Sequence, residues 1–310
     1  MNKNFLSQII TAYPQLKYAL LKAQTFDPDH FGFPEVYYKI METDEVRVGA
    51  FRDAFRSYDN LRDATVCEVG VGTLALTQLF LPYVKKAYLI ESNPNLSEFI
   101  KKELKQNGWD KKTVFIEGDA LQVELPEQVD FIIGENMSIY CANEHQVQIF
   151  QHLRRFLKPS GKLIPEKIIN WIQLGNTKFD EDIQHYPIMF SHHLPTLMTD
   201  QKIVNTINLY QEKDQLIQKN ISVKALLSGT INCAYLNSWV QCAEGANFTG
   251  TDSLMPPTVV KLKNPVKVKG GEQLSVSVSF RYGTSLDEAS FHITGSLPVE
   301  CRQLSGGLRG

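Results

Sequence analysis

The sequence predicts an α/β protein in which a helix-covered parallel sheet is followed by a β-rich second part. Three observations carry this expectation. Between about residues 64 and 157, short apolar runs alternate with amphipathic segments. A glycine turn, Gly70-Val71-Gly72, lies where the first of those runs gives way to the first helical segment. From about residue 221 onward, short alternating segments parted by Gly, Pro and Asn replace the helical periodicity. Near-continuous apolar strands interleaved with helices form parallel sheets buried on both faces, whereas strict alternation marks a strand with one wet face.

Residues 5–24 set Phe5, Ile9, Ile10, Leu16, Leu20 and Leu21 at helical spacing across a break at Pro14, and 35–55 reads as a charged helical stretch. Residues 64–69 form the first expected strand and 74–81 its helix; 87–90 is the second strand, with 96–106 as its helix. Strands follow at 113–116 and 129–133, and then a helix over 144–157 that Lys158-Pro159-Ser160-Gly161 should stop. Residues 176–215 are polar and read as partly helical. In 273–280, Leu274, Val276, Val278 and Phe280 alternate with serines, so that strand should bury one face. There is no internal repeat, and the closing LSGGLRG reads as a loose tail.

Charge and cysteine usage narrow the function classes. The 310 residues carry 32 basic and 34 acidic side chains, net −2, with no dense Lys/Arg run, which argues against a nucleic-acid partner. A 43% hydrophobic and 21% charged composition is that of a globular chain, not a disordered one. No stretch approaches the roughly 18 apolar residues of a membrane span, and Ser7, Gln8, Thr11, Pro14 and Gln15 interrupt any signal-peptide core. Five scattered cysteines (67, 141, 233, 242 and 301) fit neither a disulfide framework nor a zinc knuckle and suggest a reducing cytoplasm. His192-His193 has no Cys or carboxylate at ligand spacing, so no metal is expected. A cytoplasmic enzyme or binding protein remains.

The glycine turn admits two cofactors, a nicotinamide or flavin dinucleotide and S-adenosylmethionine. Gly70 and Gly72 let the chain turn sharply and let a ligand approach the main chain. The dinucleotide fingerprint requires a third glycine where this sequence has Ala75. Glu68, just ahead of the turn, would repel a pyrophosphate but hold an aminoacyl ammonium. The β-rich second half also departs from a repeated β-α-β plan. Glu91, ending the second strand, suits a ribose diol under either reading, since a carboxylate accepts two hydroxyl hydrogen bonds. Asp119, ending the third, either faces an adenine amine or is an ordinary turn residue. These features favour S-adenosylmethionine.

With these positions in place, the chain resembles class I S-adenosylmethionine-dependent methyltransferases, and among them the protein arginine methyltransferases. The resemblance runs through His30-Phe31-Gly32, Ile40-Met41, Asp44-Glu45-Val46-Arg47, Glu68–Thr73 and Glu91 to Gly134-Glu135-Asn136-Met137-Ser138 and Asn143-Glu144. It continues in Phe156-Leu157-Lys158-Pro159-Ser160-Gly161-Lys162-Leu163-Ile164-Pro165, the family's passage into its β-barrel. It implies N-terminal cofactor-covering helices over 1–48, a Rossmann-like methyltransferase domain over 49–165, and a β-barrel-like substrate domain over 166–310 with a dimerisation arm at 176–215. It implies that Arg47 pairs with the methionyl carboxylate, for which a planar guanidinium fork is suited. A helix-surface pairing of Arg47 with Asp44 is the alternative. Glu135 and Glu144 would grip a substrate guanidinium, with Asn136 and Met137 beside it, and two carboxylates around that cation make chemical sense in their own right. Alternatively, Glu144 opens a helix that Asn143 caps.

Several positions depart from the family. Its glycine after G-x-G-T is Leu74, its aromatic after the first glutamate is Asn136, and its next glycine is Ser138. A tyrosine-lined helix reads Phe26-Asp27-Pro28-Asp29, and Met255-Pro256-Pro257 aligns with the barrel's Thr-His-Trp loop. The expectation is therefore an N-methyltransferase acting on a guanidine or amine of a small molecule, working as a homodimer. O- or C-methyl transfer and a catalytically idle cofactor-binding subunit are the alternatives.

Overall fold

The structure is a computed structural model that describes residues 41–59, 61–191 and 193–297. The expected helix over 5–24, the His30-Phe31-Gly32 segment, Phe26–Asp29 and the glycine-rich tail lie outside the described residues. Five strands, β1 (Thr65–Val69), β2 (Lys86–Glu91), β3 (Thr113–Glu117), β4 (Val129–Gly134) and β5 (Leu157–Ile164), form one parallel sheet in the order β3-β2-β1-β4-β5. All five residues of β1 are buried, as expected of a central parallel strand. The order reverses between β1 and β4, where ligands gather in open α/β sheets because the loops diverge and leave a crevice.

Helix α1 (Glu45–Arg56) starts at Asp44, whose side chain accepts the Arg47 backbone N–H. It buries Phe55 against Phe80 and Phe131, and Phe51 against Phe248 of the second part, so one helix joins the two halves. Helix α2 (Thr77–Phe80) is shorter than the sequence suggests. Leu74 takes φ +70°, a left-handed conformation that starts no helix. Helix α3 (Pro94–Gln106) is capped by the Asn93 side chain and has Pro94 at its first turn, where a missing N–H costs nothing. Helix α4 (Gln146–Leu153) begins two residues after Glu144, so that glutamate lies in the preceding loop.

Two other expectations are corrected. Lys158-Pro159-Ser160-Gly161 does not terminate a helix; these residues bulge within β5, where Leu157 pairs with Val129 and Lys162 with Phe131. Nor are the described residues of 176–215 partly helical. They form β7 (His185–Pro187), β8 (Thr196–Leu197) and β9 (Lys202–Asn208), with a single 3₁₀ turn at Ile188–Phe190, because pairing with distant strands outweighs local polarity.

The second part is antiparallel. One sheet runs β7-β13-β11-β6-β8, built on β6 (Lys167–Asn176), β11 (Gly229–Ala243) and β13 (Thr258–Val268), with β9 also on β6 and β12 (Ala246–Thr249) on β11. A three-stranded sheet, β10 (Leu216–Lys224), β14 (Gln273–Arg281) and β15 (Ser290–Leu297), stands beside it. In β14, Leu274, Val276, Val278 and Phe280 are buried as their alternation requires. Tyr186 and Ile188 pack with Cys233, Tyr235 and Val259 in a small core of their own. No helix among the described residues is long and apolar enough to cross a membrane.

Candidate active site

The crevice is built from the ends of β1, β2 and β4. The Gly70 N–H donates to Ile90 O at 2.9 Å, bending the chain back over β2, and Gly70 and Gly72 adopt φ of +67° and +51°. A Cβ at Gly70 would collide with the Asn136 side chain, so this turn tolerates no larger residue. Glu91 is buried and braces the turn: Oε2 accepts the Gly72 N–H at 2.9 Å and Oε1 the Asn93 N–H at 2.8 Å.

The segment after β4 holds both candidate glutamates. It folds tightly, with Tyr140, Cys141 and Asn143 at φ +63°, +52° and +60°. Left-handed backbone costs a non-glycine residue about 1–2 kcal/mol, so such a loop persists only where its surroundings fix it. Gln146 fixes its start: the buried amide accepts the Asn136 N–H at 2.8 Å and donates to Gly134 O at 3.1 Å. Within the loop, the Ser138 hydroxyl donates to Ala142 O. The antiparallel part fixes the middle and end. Tyr140 donates its N–H to Ser238 Oγ at 3.0 Å and its hydroxyl to Trp171 O at 3.2 Å. The Gly283 N–H donates to Cys141 O at 2.8 Å, and the Asn143 N–H to Thr284 O at 3.0 Å.

Two cavities flank the glycine turn and share Gly70 and Glu144. The first is lined by Glu42, Arg47, Phe51, Glu68, Gly72, Thr73, Glu135 and Met137 among others. Arg47 is buried there, with Nη1 3.1 Å from Glu135 Oε2, Nε 3.6 Å from Asp44 Oδ2, and Nη2 donating to Met41 O at 3.1 Å. Thr73 donates its hydroxyl to Glu42, tying the segment before α1 to the glycine turn. Glu68 accepts the Thr77 hydroxyl at 2.5 Å; burial, with Glu91 nearby, pushes its carboxyl up to about 8. Burial also pushes Glu144 up to about 8, with Glu135 adding to the rise and Arg47 opposing it. Glu135 is raised by burial, against the pull of Arg47. The second cavity is lined by Ile90, Ser92, Asp119, Asn136, Asn143 and His145 among others. Asp119 is exposed at its rim and accepts the Leu121 N–H at 2.9 Å.

Residues 66–161 match the family model of the methyltransferase domain. The chain carries a class I S-adenosylmethionine-dependent methyltransferase domain. It resembles protein arginine methyltransferases. An uncharacterized protein of Methanocaldococcus jannaschii is 26% identical over 267 residues, 84% of this chain and 97% of that one. The histone-arginine methyltransferase CARMER of Drosophila ananassae is 32% identical over 127 residues, 40% of this chain. This methyltransferase spans about a quarter of CARMER, 24% of its length. Among solved structures, a Trypanosoma brucei PRMT1 enzyme–prozyme heterotetramer with AdoHcy superposes with TM-score 0.67 at 17% identity, over 80% of this chain and 87% of that one. Arabidopsis thaliana protein arginine methyltransferase 10 gives 0.64 at 17% identity, over 78% and 87%.

The fold gathers Arg47, Glu68, Gly70, Gly72, Glu135, Met137 and Glu144 around the first cavity of the methyltransferase. Asn136 and Asp119 face the second instead, and Asn136 Nδ2 also donates to Val69 O at 3.2 Å. Glu91 is in neither lining; it ends β2 and holds the glycine turn through the Gly72 N–H. Cofactor chemistry fits this donor set. Carboxylates raised by burial call for cationic partners, and S-adenosylmethionine brings an ammonium and a sulfonium. Sequence reasoning missed Glu42, Gln146 and the Ser238, Gly283 and Thr284 supports. Gln146 left one trace, a polar side chain on a mostly apolar helix face.

Proposed function

We propose that the methyltransferase transfers a methyl group to a guanidine or amine nitrogen of a small molecule, such as arginine or a derivative of it. One observation carries this reading: Glu42, Glu68, Glu135 and Glu144 line a single cavity in which Arg47 is the cation among the described residues. Glu68 is buried and the other three are half-buried, and such an excess of carboxylate in a partly dry cavity is costly unless the ligands are positive. In this reading Glu68 takes the aminoacyl ammonium, Arg47 the methionyl carboxylate, Glu91 the ribose diol and Asp119 the adenine amine. Gly70 and Gly72 let the ligand close on the main chain. Bound S-adenosylmethionine supplies an electron-poor methyl group on a sulfonium. Glu135 and Glu144 hold the acceptor cation beside Met137 and bias its charge away from the attacking nitrogen. Burial pushes the Glu144 carboxyl up to about 8 in the ligand-free chain; ionised by the bound cation, it takes up the proton the nitrogen gives up.

The loop aligned with Thr-His-Trp supports a small acceptor. Leu254 and Met255 are buried there, and the Leu254 N–H donates to Asp44 Oδ2 at 2.6 Å, so this stretch faces inward. We also propose that two copies associate through 176–215, where Leu194 and Ile203 are each 58% exposed. The four described cysteines are free and buried, which supports a cytoplasmic location.

The test offers methyl-labelled S-adenosylmethionine with free arginine, other guanidines, amines, phenols, carboxylates and arginine-containing peptides, read by mass spectrometry. Label on a small guanidine or amine is the expected outcome. Label confined to oxygen or carbon acceptors, or to peptides, overturns the reading, and tight cofactor binding without transfer identifies an idle subunit.

A further inference from the structure

The loop bearing Glu135 and Glu144 takes one support from deep inside the antiparallel part. Ser238 lies on β11 and is fully buried, as is Asn170 on the paired strand β6. Ser238 Oγ accepts the N–H of Tyr140 at 3.0 Å and donates its own proton to Asn170 Oδ1 at 2.7 Å. Asn170 Nδ2 in turn donates to Asn205 Oδ1 at 3.1 Å, and Asn205 Nδ2 to the Tyr282 hydroxyl at 2.6 Å. A hydroxyl has one proton and two lone pairs, so Asn170 sets which way Ser238 points and leaves a lone pair for the amide. That amide belongs to the first of three left-handed residues in the loop.

We infer that Ser238, oriented by Asn170, is a positioning residue that holds the Tyr140 turn and so sets the spacing of Glu135 and Glu144. The second part of the chain thereby contributes to the acidic pair although neither glutamate lies on it. A buried N–H left without its acceptor costs more than an ordinary hydrogen bond, and the left-handed backbone next to it gains by relaxing. The role of the pair rests on the proposed nitrogen acceptor; the placement of the loop does not.

The experiment uses the full chain and compares Ser238→Ala with Asn205→Ala, a change two links further along the same network. Hydrogen exchange is followed in peptides covering 135–146 and in peptides covering β6 and β14. For Ser238→Ala we expect exchange in 135–146 to rise roughly tenfold, with β6 and β14 within about twofold of the parent chain. Asn205→Ala should leave 135–146 within about twofold. Unchanged exchange in 135–146, or a rise of equal size in β6 and β14, overturns the positioning role. So does an equal rise in the Asn205 variant. With the acceptor returned by the labelling screen, kcat should fall roughly tenfold while calorimetric affinity for S-adenosylmethionine stays within about twofold. A parallel loss of cofactor affinity also counts against the inference. If the parent chain methylates oxygen or carbon instead, the nitrogen reading fails while the exchange result still decides on Ser238.

Discussion

Arg47 and Glu135 face each other across the first cavity, Nη1 to Oε2 at 3.1 Å, from different parts of the chain: Arg47 from the first turn of α1, Glu135 from the residue after β4. The pair joins the residue proposed for the methionyl carboxylate to one proposed for the acceptor. Arg47 also lies 3.6 Å from Asp44, the alternative partner that the sequence offers, and Glu135 is a partner the sequence did not suggest. Five donors in a fork allow this sharing. Replacing Arg47 with Ala leaves a buried carboxylate without its cation and removes the proposed carboxylate clamp. Calorimetry should show S-adenosylmethionine binding weakened by roughly tenfold or more, with Arg47→Lys recovering part of it as a point charge. Unchanged affinity in both variants would remove Arg47 from the cofactor site.

Glu91 has a double task in the proposed site. It braces the glycine turn through Gly72 and Asn93 and has lone pairs left for a ribose diol. Hydrogen bonds to a charged group contribute about 1.5–3 kcal/mol each, so Glu91→Ala should weaken cofactor binding by roughly tenfold or more. Because the brace is lost as well, the cofactor-free variant should also melt at a lower temperature. An intact fold by circular dichroism with parent-level affinity would end the assignment.

How much of this was legible beforehand follows from the range of each interaction. The strands of the parallel sheet announce themselves as local apolar runs, and the glutamate spacing can be read from a few neighbouring residues. Leu74 was less legible: an apolar residue at helical spacing adopts φ +70°, at the position where the resembled family has glycine. The strands in 176–215 were hidden because their pairing partners lie elsewhere in the chain, as when Lys202–Asn208 pairs with Lys167–Asn176. The Ser238 support was hidden for the same reason, since Tyr140 lies 98 positions away. A serine in an apolar strand carries no local mark of what it holds.

Association of two copies has a direct test. Tyr186 and Ile188 pack into a small core of their own, and among the described side chains of that segment Leu194 and Ile203 are the exposed large apolar ones. Light scattering should report a dimer at micromolar concentration, and Leu194→Asp with Ile203→Asp should shift it to a monomer. A monomer at all concentrations for the parent chain would refute the proposal.

The raised carboxyls make stability and binding depend on pH in a set direction. Glu68 and Glu144 move from an ordinary 4.5 to about 8 in the folded, ligand-free chain. The native state then holds protons that the unfolded chain releases, so this contribution is full below about 4.5 and is lost as pH rises toward 8. The cofactor-free protein should therefore lose a few degrees of melting temperature between pH 5 and pH 8 beyond any general trend, and Glu68→Gln should flatten the slope. Cationic ligands favour the ionised forms, so binding should release protons below about pH 8, as calorimetry in buffers of different ionisation enthalpy will show. Proton uptake instead would contradict the assignment of Glu68 to the ammonium.

The acidic pair makes the sharpest demand. Glu135 is tied to Arg47, whereas Glu144 lies in the loop ahead of α4 with its carboxyl near 8. The alternative reading of the sequence makes Glu144 the opener of a helix; it lies two residues ahead of α4 instead, and the cavity lining gives both glutamates a place. For a guanidinium or amine acceptor, Glu135→Gln should abolish turnover and leave cofactor affinity nearly intact. The amide keeps the shape but no longer offsets the substrate charge in a partly dry pocket. Glu144→Gln should also lower kcat, by roughly a hundredfold or more if it accepts the proton, and should remove the acid limb of the pH–rate profile. An anionic acceptor reverses the expectation, because two carboxylates would repel it and their neutralisation would help. Both variants should therefore be assayed on the molecule returned by the labelling screen, with kcat, KM and cofactor affinity measured separately. Parent-level turnover in Glu135→Gln would end the guanidine reading, because that reading makes the Glu135 charge essential for holding the acceptor cation.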